Sequence, residues 1–233
     1  MQKIFTGLLG LLLLPFAFGL ACAAYAQLIA VQMSPASSDW IQAFALGAAL
    51  WLLLFFVFPR PLRSYILAHE LSHLLAAWMS GIGGGRLRVG RDGGSVEVAR
   101  SNLWIALAPY LIPFYSLGLL ALHLLASLWW DPRIWRDGLP YGLGFTWAFH
   151  LSFTLYILSI PQSDVQPYGR LGAYSFILTG NLLLLVAGLF LINGQPFSED
   201  LGELLQLQLE AYRGAARLVS EMIFRIKNAI IEW

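Results

Sequence analysis

Two histidines and a glutamate stand inside the otherwise apolar run YILAHELSHLLAAW, residues 65–78. His69-Glu70-Leu71-Ser72-His73 fits H-E-x-x-H. Residues i and i+4 of a helix share a face, so both imidazoles can reach one metal ion. Glu70 sits beside that pair, where it can serve as a general base on water. Zinc takes nitrogen and carboxylate ligands in a tetrahedron, and a catalytic zinc keeps one position for water, whose pKa it lowers to about 7. The bland alternative is a polar helix face satisfied by its neighbours. Each ionisable group deep in a bilayer costs about 2.5 kcal/mol or more, which weighs against that alternative.

A site of this kind needs a third protein ligand, and no further histidine follows at the spacing that soluble zinc proteases use. Downstream glutamates lie in the segment 81–102 (Glu97) or in the tail (Glu199, Glu203, Glu210, Glu221, Glu232). Among the aspartates, Asp164 stands in LSIPQSDVQPYG, where Pro161 breaks one apolar run and Pro167-Tyr168-Gly169 turns the chain toward the next. Irregular backbone at a helix end tolerates an acid that faces a polar cavity. Asp92, Asp131 and Asp137 read as loop residues. His150, in TWAFHLSF, is the rival; a continuous helix would set it roughly 20 Å from Asp164 at 1.5 Å per residue. It is read as a group behind the ligands or in contact with substrate, against the plainer reading of a packing histidine bonded to a carbonyl. His123 has a weaker claim.

The elements that must position these residues are membrane helices. Of 233 residues, 58% are hydrophobic and 12% charged, with a mean hydropathy of +0.68. Soluble domains carry about a quarter charged residues. A net charge of +1 gives no case for nucleic acid, and the single Cys22 excludes an internal disulfide or a cysteine metal cage. A span needs about 20 mostly apolar residues, which suggests helices near 4–30, 40–58, 62–80, 103–130, 141–160 and 171–192. The expected fold is an all-α polytopic membrane protein with about six transmembrane helices. Residues 1–26, with a basic start and Ala-Tyr-Ala before Gln27, also read as a cleavable signal.

Three further stretches carry structure. Residues 81–102 form the sizeable polar insertion: Gly83, Gly84 and Gly85 stop the preceding helix, and two alternating stretches flank an Asp92-Gly93 turn, which predicts a β-hairpin. Its strands, through Arg86, Leu87, Arg88, Val89 or Ser95, Val96, Glu97, Val98, offer an edge for an extended peptide. In NLWIALAPYLIPFY, opened by Asn102, Pro109 and Pro113 lie four apart on one face and kink the helix there; Asn102 and Pro109 are candidates for contact with ligands or substrate. Residues 198–233 predict an amphipathic helix on the membrane surface or against the bundle, with Ser198 as cap, Glu199, Asp200 and Glu203 at its start and Arg213, Arg217, Arg225 and Lys227 toward its end. The chain thus divides into a membrane domain, 1–197, and this tail.

Taken together, HELSH in one run, the Gly-rich hairpin segment, NLWIALAPY opening the next run and the aspartate motif QSDVQPYG resemble the site-2 protease family of intramembrane zinc metallopeptidases, in an uncharacterised prokaryotic branch. The likeness covers roughly residues 62–192. It implies one zinc ion held by His69, His73 and Asp164, with Glu70 as the base. The implied reaction is hydrolysis of peptide bonds in or near transmembrane helices of membrane-protein substrates. The implied setting is a multi-pass protein of a prokaryotic inner membrane. The family's aspartate is usually followed by glycine; here Val165 follows Asp164. The family's regulatory peptide-binding insert is absent.

Six spans would put Lys3, Arg60, Arg63, Arg133 and Arg136 on the side of the tail, and Arg86, Arg88, Arg91, Arg100 and Arg170 opposite. Without the tail the two sides balance, so the positive-inside rule decides nothing; the resemblance implies a hairpin and zinc near the cytoplasm. Two other classes of function fit the same residues: an inactive relative that binds membrane helices without cutting them, and a metal or proton carrier using His69, His73, Asp164 and His150 as a relay.

Overall fold

The structure, a computed structural model, describes residues 2–90, 93–131, 137–194 and 197–231, the side chains at 36, 197–201 and 226–231 excepted. Asp92 of the expected turn and Arg91, Arg133, Arg136 and Glu232 lie outside the described residues. The chain forms two compact units, one of Met1–Ser34 with Arg170–Trp233, the other of Pro35–Gly169.

The first unit holds α1 (Gln2–Met33), α7 (Arg170–Asn193) and α8 (Phe197–Ile231). Helices α1 and α7 pack backbone to backbone where Gly10 meets Gly172: a Cβ on Gly172 would stand 2.4 Å from the Thr6 carbonyl oxygen. Leu20, Val31, Val186 and Leu189 are buried in this unit. Near the other end, the Asn193 amide donates to the Gln27 side-chain and main-chain oxygens. The amphipathic α8 buries Gln208 and Ala211, and the Tyr212 hydroxyl donates to Leu12 O at 2.9 Å. Of the two places expected for this helix, its first half takes the one against a neighbouring helix, α1. The helix starts one residue before the expected cap Ser198, whose side chain, with those of Glu199 and Asp200, is outside the described ones.

The second unit holds α2 (Pro35–Val57), α3 (Leu62–Met79), β1 (Gly84–Val89), β2 (Gly94–Val98), α4 (Leu103–Leu107), a 3-10 turn at Ala108–Tyr110, α5 (Phe114–Ala126) and α6 (Leu139–Leu158). Helices α2 and α6 approach closely at two glycines, Gly47 against Tyr141 and Gly144 against Phe44. Trp51, Phe55, Phe149 and Phe153 make an aromatic core, on which Tyr65 of α3 stacks, its ring 4.8 Å from that of Phe153. Helix α3 stops at Gly81, whose φ of 68° is the left-handed conformation glycine adopts freely. The glycines expected to stop it act one step later: Gly84 and Gly85 open β1. The hairpin is antiparallel, pairing Leu87 with Val96, Arg88 with Ser95 and Val89 with Gly94.

Among the described residues, three helices are long and apolar enough to cross a membrane, at Gln2–Met33, Ser37–Val57 and Arg170–Asn193. A fourth counts if Leu103–Tyr110 and Phe114–Ala126 form one broken span, bent by 80°. Six spans therefore do not follow from length and apolarity. The expected helix over 103–130 is not kinked but broken: Pro109 sits in the 3-10 turn, Pro113 stands before α5, and neither offers an N–H to carry the helix across. Helix α3 falls short because Arg63, His69, Glu70 and His73 dilute it, and α6 because Pro140, Gly142, Gly144 and His150 do.

Candidate metal centre

The i, i+4 arithmetic puts His69 and His73 on one face of α3, their ring centroids 4.9 Å apart. Asp164 comes from the turn after α6. That turn is anchored by buried Val165 and Tyr168 and by the Gln162 side-chain amide, which donates to Ile157 O at 3.0 Å. It ends at Gly169, with φ 74°. Asp164 Oδ2 lies 3.3 Å from His69 Nε2 and 3.7 Å from His73 Nε2. One ligand atom from each residue falls within 4.8 Å of the others. Bonds of 2.0–2.1 Å in a tetrahedron put neighbouring ligand atoms about 3.3 Å apart. Two nitrogens and one carboxylate at this spacing fit a metal ion with no change of fold, and they are the donor types of a three-ligand catalytic zinc site.

Each ligand is oriented from behind. His73 Nδ1 lies 2.7 Å from Ile105 O, so it must donate there, leaving Nε2 as the electron-pair donor. The Tyr65 hydroxyl lies 3.0 Å from His69 Nδ1 and does the same for that ring when it accepts. The Tyr110 hydroxyl donates to Asp164 Oδ2 at 3.0 Å.

Glu70, 7% exposed, turns to the hairpin. A Cβ on Gly94 would stand 2.8 Å from Glu70 Cγ, and the Val96 backbone hydrogen-bonds the Glu70 carboxylate. A cavity of about 660 Å³ opens over the triad, walled on one side by Gly94, Ser95, Val96 and Val98. Gly90 N–H donates to Gly93 O, so by antiparallel alternation the Gly94 and Val96 peptide groups point out of the ladder. The free edge of β2 therefore faces the site. Arg86, Leu87, Arg88, Val89 and Glu97 do not line the cavity.

No family model, curated protein or solved structure matches this chain. What the site can do is read from its own donors and distances.

The remaining candidates fall elsewhere. His150, buried on α6, shares with His69, Ser72 and Tyr115 a separate cavity of about 10 Å³, room for about one water. Pro109 lines that small cavity too. Asn102 caps α4, its Oδ1 accepting from Ile105 N–H at 2.9 Å. Sequence reasoning passed over Tyr65, Tyr110, Ser163 and the Ile105 carbonyl. Tyr65 could have been found, being four residues before His69 on the same face. The contacts of Tyr110 and Ile105 span 54 and 32 residues and leave no local signal.

Proposed function

We propose that this chain is an intramembrane zinc metalloprotease of the site-2 protease kind, cutting peptide bonds in or near transmembrane helices of other membrane proteins in a prokaryotic inner membrane. The observation that carries this reading is the meeting of His69, His73 and Asp164, with ligand atoms within 4.8 Å of one another, beside a buried glutamate, Glu70, next in sequence to a ligand. A zinc ion held by these three residues would supply a Lewis acid and a water of lowered pKa. In this reading α3 and α6 also lie at membrane depth, giving six segments, with the polar face of α3 turned to the cavity rather than to lipid.

The chain's own groups then divide the work. Glu70 accepts a proton from the attacking water and returns it to the leaving amine. The outward N–H and C=O groups of Gly94 and the outward C=O of Val96, whose N–H serves the Glu70 carboxylate, hold the substrate segment extended by adding it as a strand, since a helix hides its peptide bonds in its own hydrogen bonds. Ile105 O and the Tyr65 hydroxyl keep both imidazoles in the tautomer that binds. His150 does not line the cavity over the triad; it shares the small second cavity with His69.

Metal analysis of the purified full chain tests the site. Wild type and His150→Ala should each hold one zinc, and His69→Ala and Asp164→Ala should hold none. Full zinc in Asp164→Ala would remove the third ligand and this reading with it.

A further inference from the structure

Residues 102–110 touch all three proposed ligands while contributing none. Asn102 caps α4 and so fixes Ile105, whose carbonyl holds His73. The 3-10 turn that Pro109 tightens then brings Tyr110 inward, where it is fully buried. The Tyr110 ring meets the His69 ring edge-on at 5.5 Å, and its hydroxyl donates to Asp164. Asp164 sits on a turn, the least constrained backbone of the three ligands, and its terminal carboxylate torsion is intrinsically broad. The oxygen Tyr110 holds, Oδ2, is the one nearest both histidine Nε2 atoms. Among the described residues, Oδ1 has one long contact, accepting from Ser163 Oγ at 3.4 Å.

The geometry points to Tyr110 as a positioning residue of this centre: its hydroxyl aims Asp164 Oδ2 at the two histidines and holds the carboxylate to one-oxygen binding. This rests on the metalloprotease reading above. A carboxylate oxygen offers two lone-pair directions. Tyr110 occupies one on Oδ2 and leaves the other for the ion. Swinging Oδ1 onto the same ion would rotate the carboxylate and break the bond to Tyr110. With an ion held by the three residues, the hydroxyl would thus keep open the position a hydrolytic site needs for water. Without it, both carboxylate oxygens can crowd the ion.

The test uses the full chain in lipid nanodiscs, with zinc and cobalt(II) affinities measured by competition with a chromophoric chelator and the cobalt absorption spectrum as a report on coordination number. Tyr110→Phe should bind either metal about 10–100-fold more weakly, the usual cost of losing a group that orients a ligand. Its cobalt bands should weaken toward those of a five-coordinate ion. Tyr115→Phe also deletes a tyrosine hydroxyl bond, 2.8 Å to Ser64 O, but touches no ligand, so both readouts should match wild type. Placing 4-aminophenylalanine at position 110 keeps a donor at the ring tip and should restore affinity to within a few fold. An unchanged affinity and spectrum in Tyr110→Phe would overturn the role of Tyr110 and leave the metal centre standing. Equal losses with phenylalanine and 4-aminophenylalanine, or a loss in Tyr115→Phe, would make Tyr110 a packing residue and overturn it too. A wild type that binds neither metal overturns the metalloprotease reading and this inference together.

Discussion

The α1–α7 pair and the surroundings of α3 bury polar atoms among apolar helices in opposite ways. Among the described residues of the first unit the buried polar side chains are Thr6, Gln27, Ser175, Thr179 and Gln208, none of them ionisable. Thr6 and Thr179 each bond a carbonyl four residues back on their own helix, and Gln27 bonds Asn193. Such groups let helices approach and are satisfied locally. In the second unit Glu70 and His150 are buried, and His69, His73 and Asp164 converge with side chains 12–21% exposed. Apolar helices lose nothing by keeping polar atoms paired to themselves. Turning five ionisable groups inward has a cost that only a cavity, a bound ion or a reaction offsets.

The largest effect should come from the group that this comparison marks as chemical and not structural. Glu70→Gln keeps the shape of the side chain and removes its capacity to take a proton. Cleavage of a transmembrane substrate in liposomes should fall by about 10²–10⁴-fold, with zinc content and melting temperature unchanged. Wild-type cleavage by this variant would sink the protease reading.

A change at the α1–α7 contact should act in the opposite way, lowering stability and leaving the metal bound. In Gly172→Leu the new Cβ would meet the Thr6 backbone, 2.4 Å from O and 2.6 Å from C, and backbone cannot swing aside as a side-chain tip can. The first unit should lose about 3 kcal/mol or more, read as a lower midpoint of denaturant unfolding, while zinc stoichiometry stays at wild type. Loss of zinc in parallel with stability would show that the two units are one cooperative body. Gly94→Ala acts inside the second unit, where its Cβ would lie 2.6 Å from Ile66 Cγ2, 2.8 Å from Glu70 Cγ and 3.0 Å from Arg88 O. The hairpin must lift off α3 or Glu70 must move. Either should slow cleavage by about 10–100-fold, as expected for a reacting group displaced by a fraction of an ångström. Metal affinity should hold, because no ligand is touched.

How much of this was legible follows the range of each interaction. His69 and His73 share a face by helical arithmetic, and Asp164 drew notice because Pro161 and Pro167 force irregular backbone around an acid in an apolar context. The two prolines at 109 and 113 announce a disturbance in the helix, but not an 80° break that aims Tyr110 inward. Whether a chain bends or breaks there depends on what the freed end packs against. Two strands were predicted within a residue or two. Their seating on Glu70 was not, since Gly94 reads locally as a turn glycine and its close approach to α3 is a tertiary fact. Length and apolarity do not by themselves carry α3 and α6 as spans, because they weigh the composition of a run and not the side to which its polar residues turn.

The smallest effect should come from Ser72, which by position looks as functional as its neighbours. It lies between Glu70 and His73, is 1% exposed and lines the small cavity beside His150. Its hydroxyl, however, already donates to Ala68 O at 2.7 Å, one turn back on the same helix. That is the arrangement of Thr6 and Thr179 in the first unit, a polar group satisfied by its own backbone. Ser72→Ala removes donor and need together and leaves a carbonyl that keeps its helical bond. Stability should change by no more than about 1 kcal/mol, and zinc affinity and cleavage should stay within about twofold of wild type. A tenfold loss of metal affinity in this variant would mean that the small cavity communicates with the triad through His69. The boundary between locally satisfied polar groups and convergent ones would then run through the middle of α3.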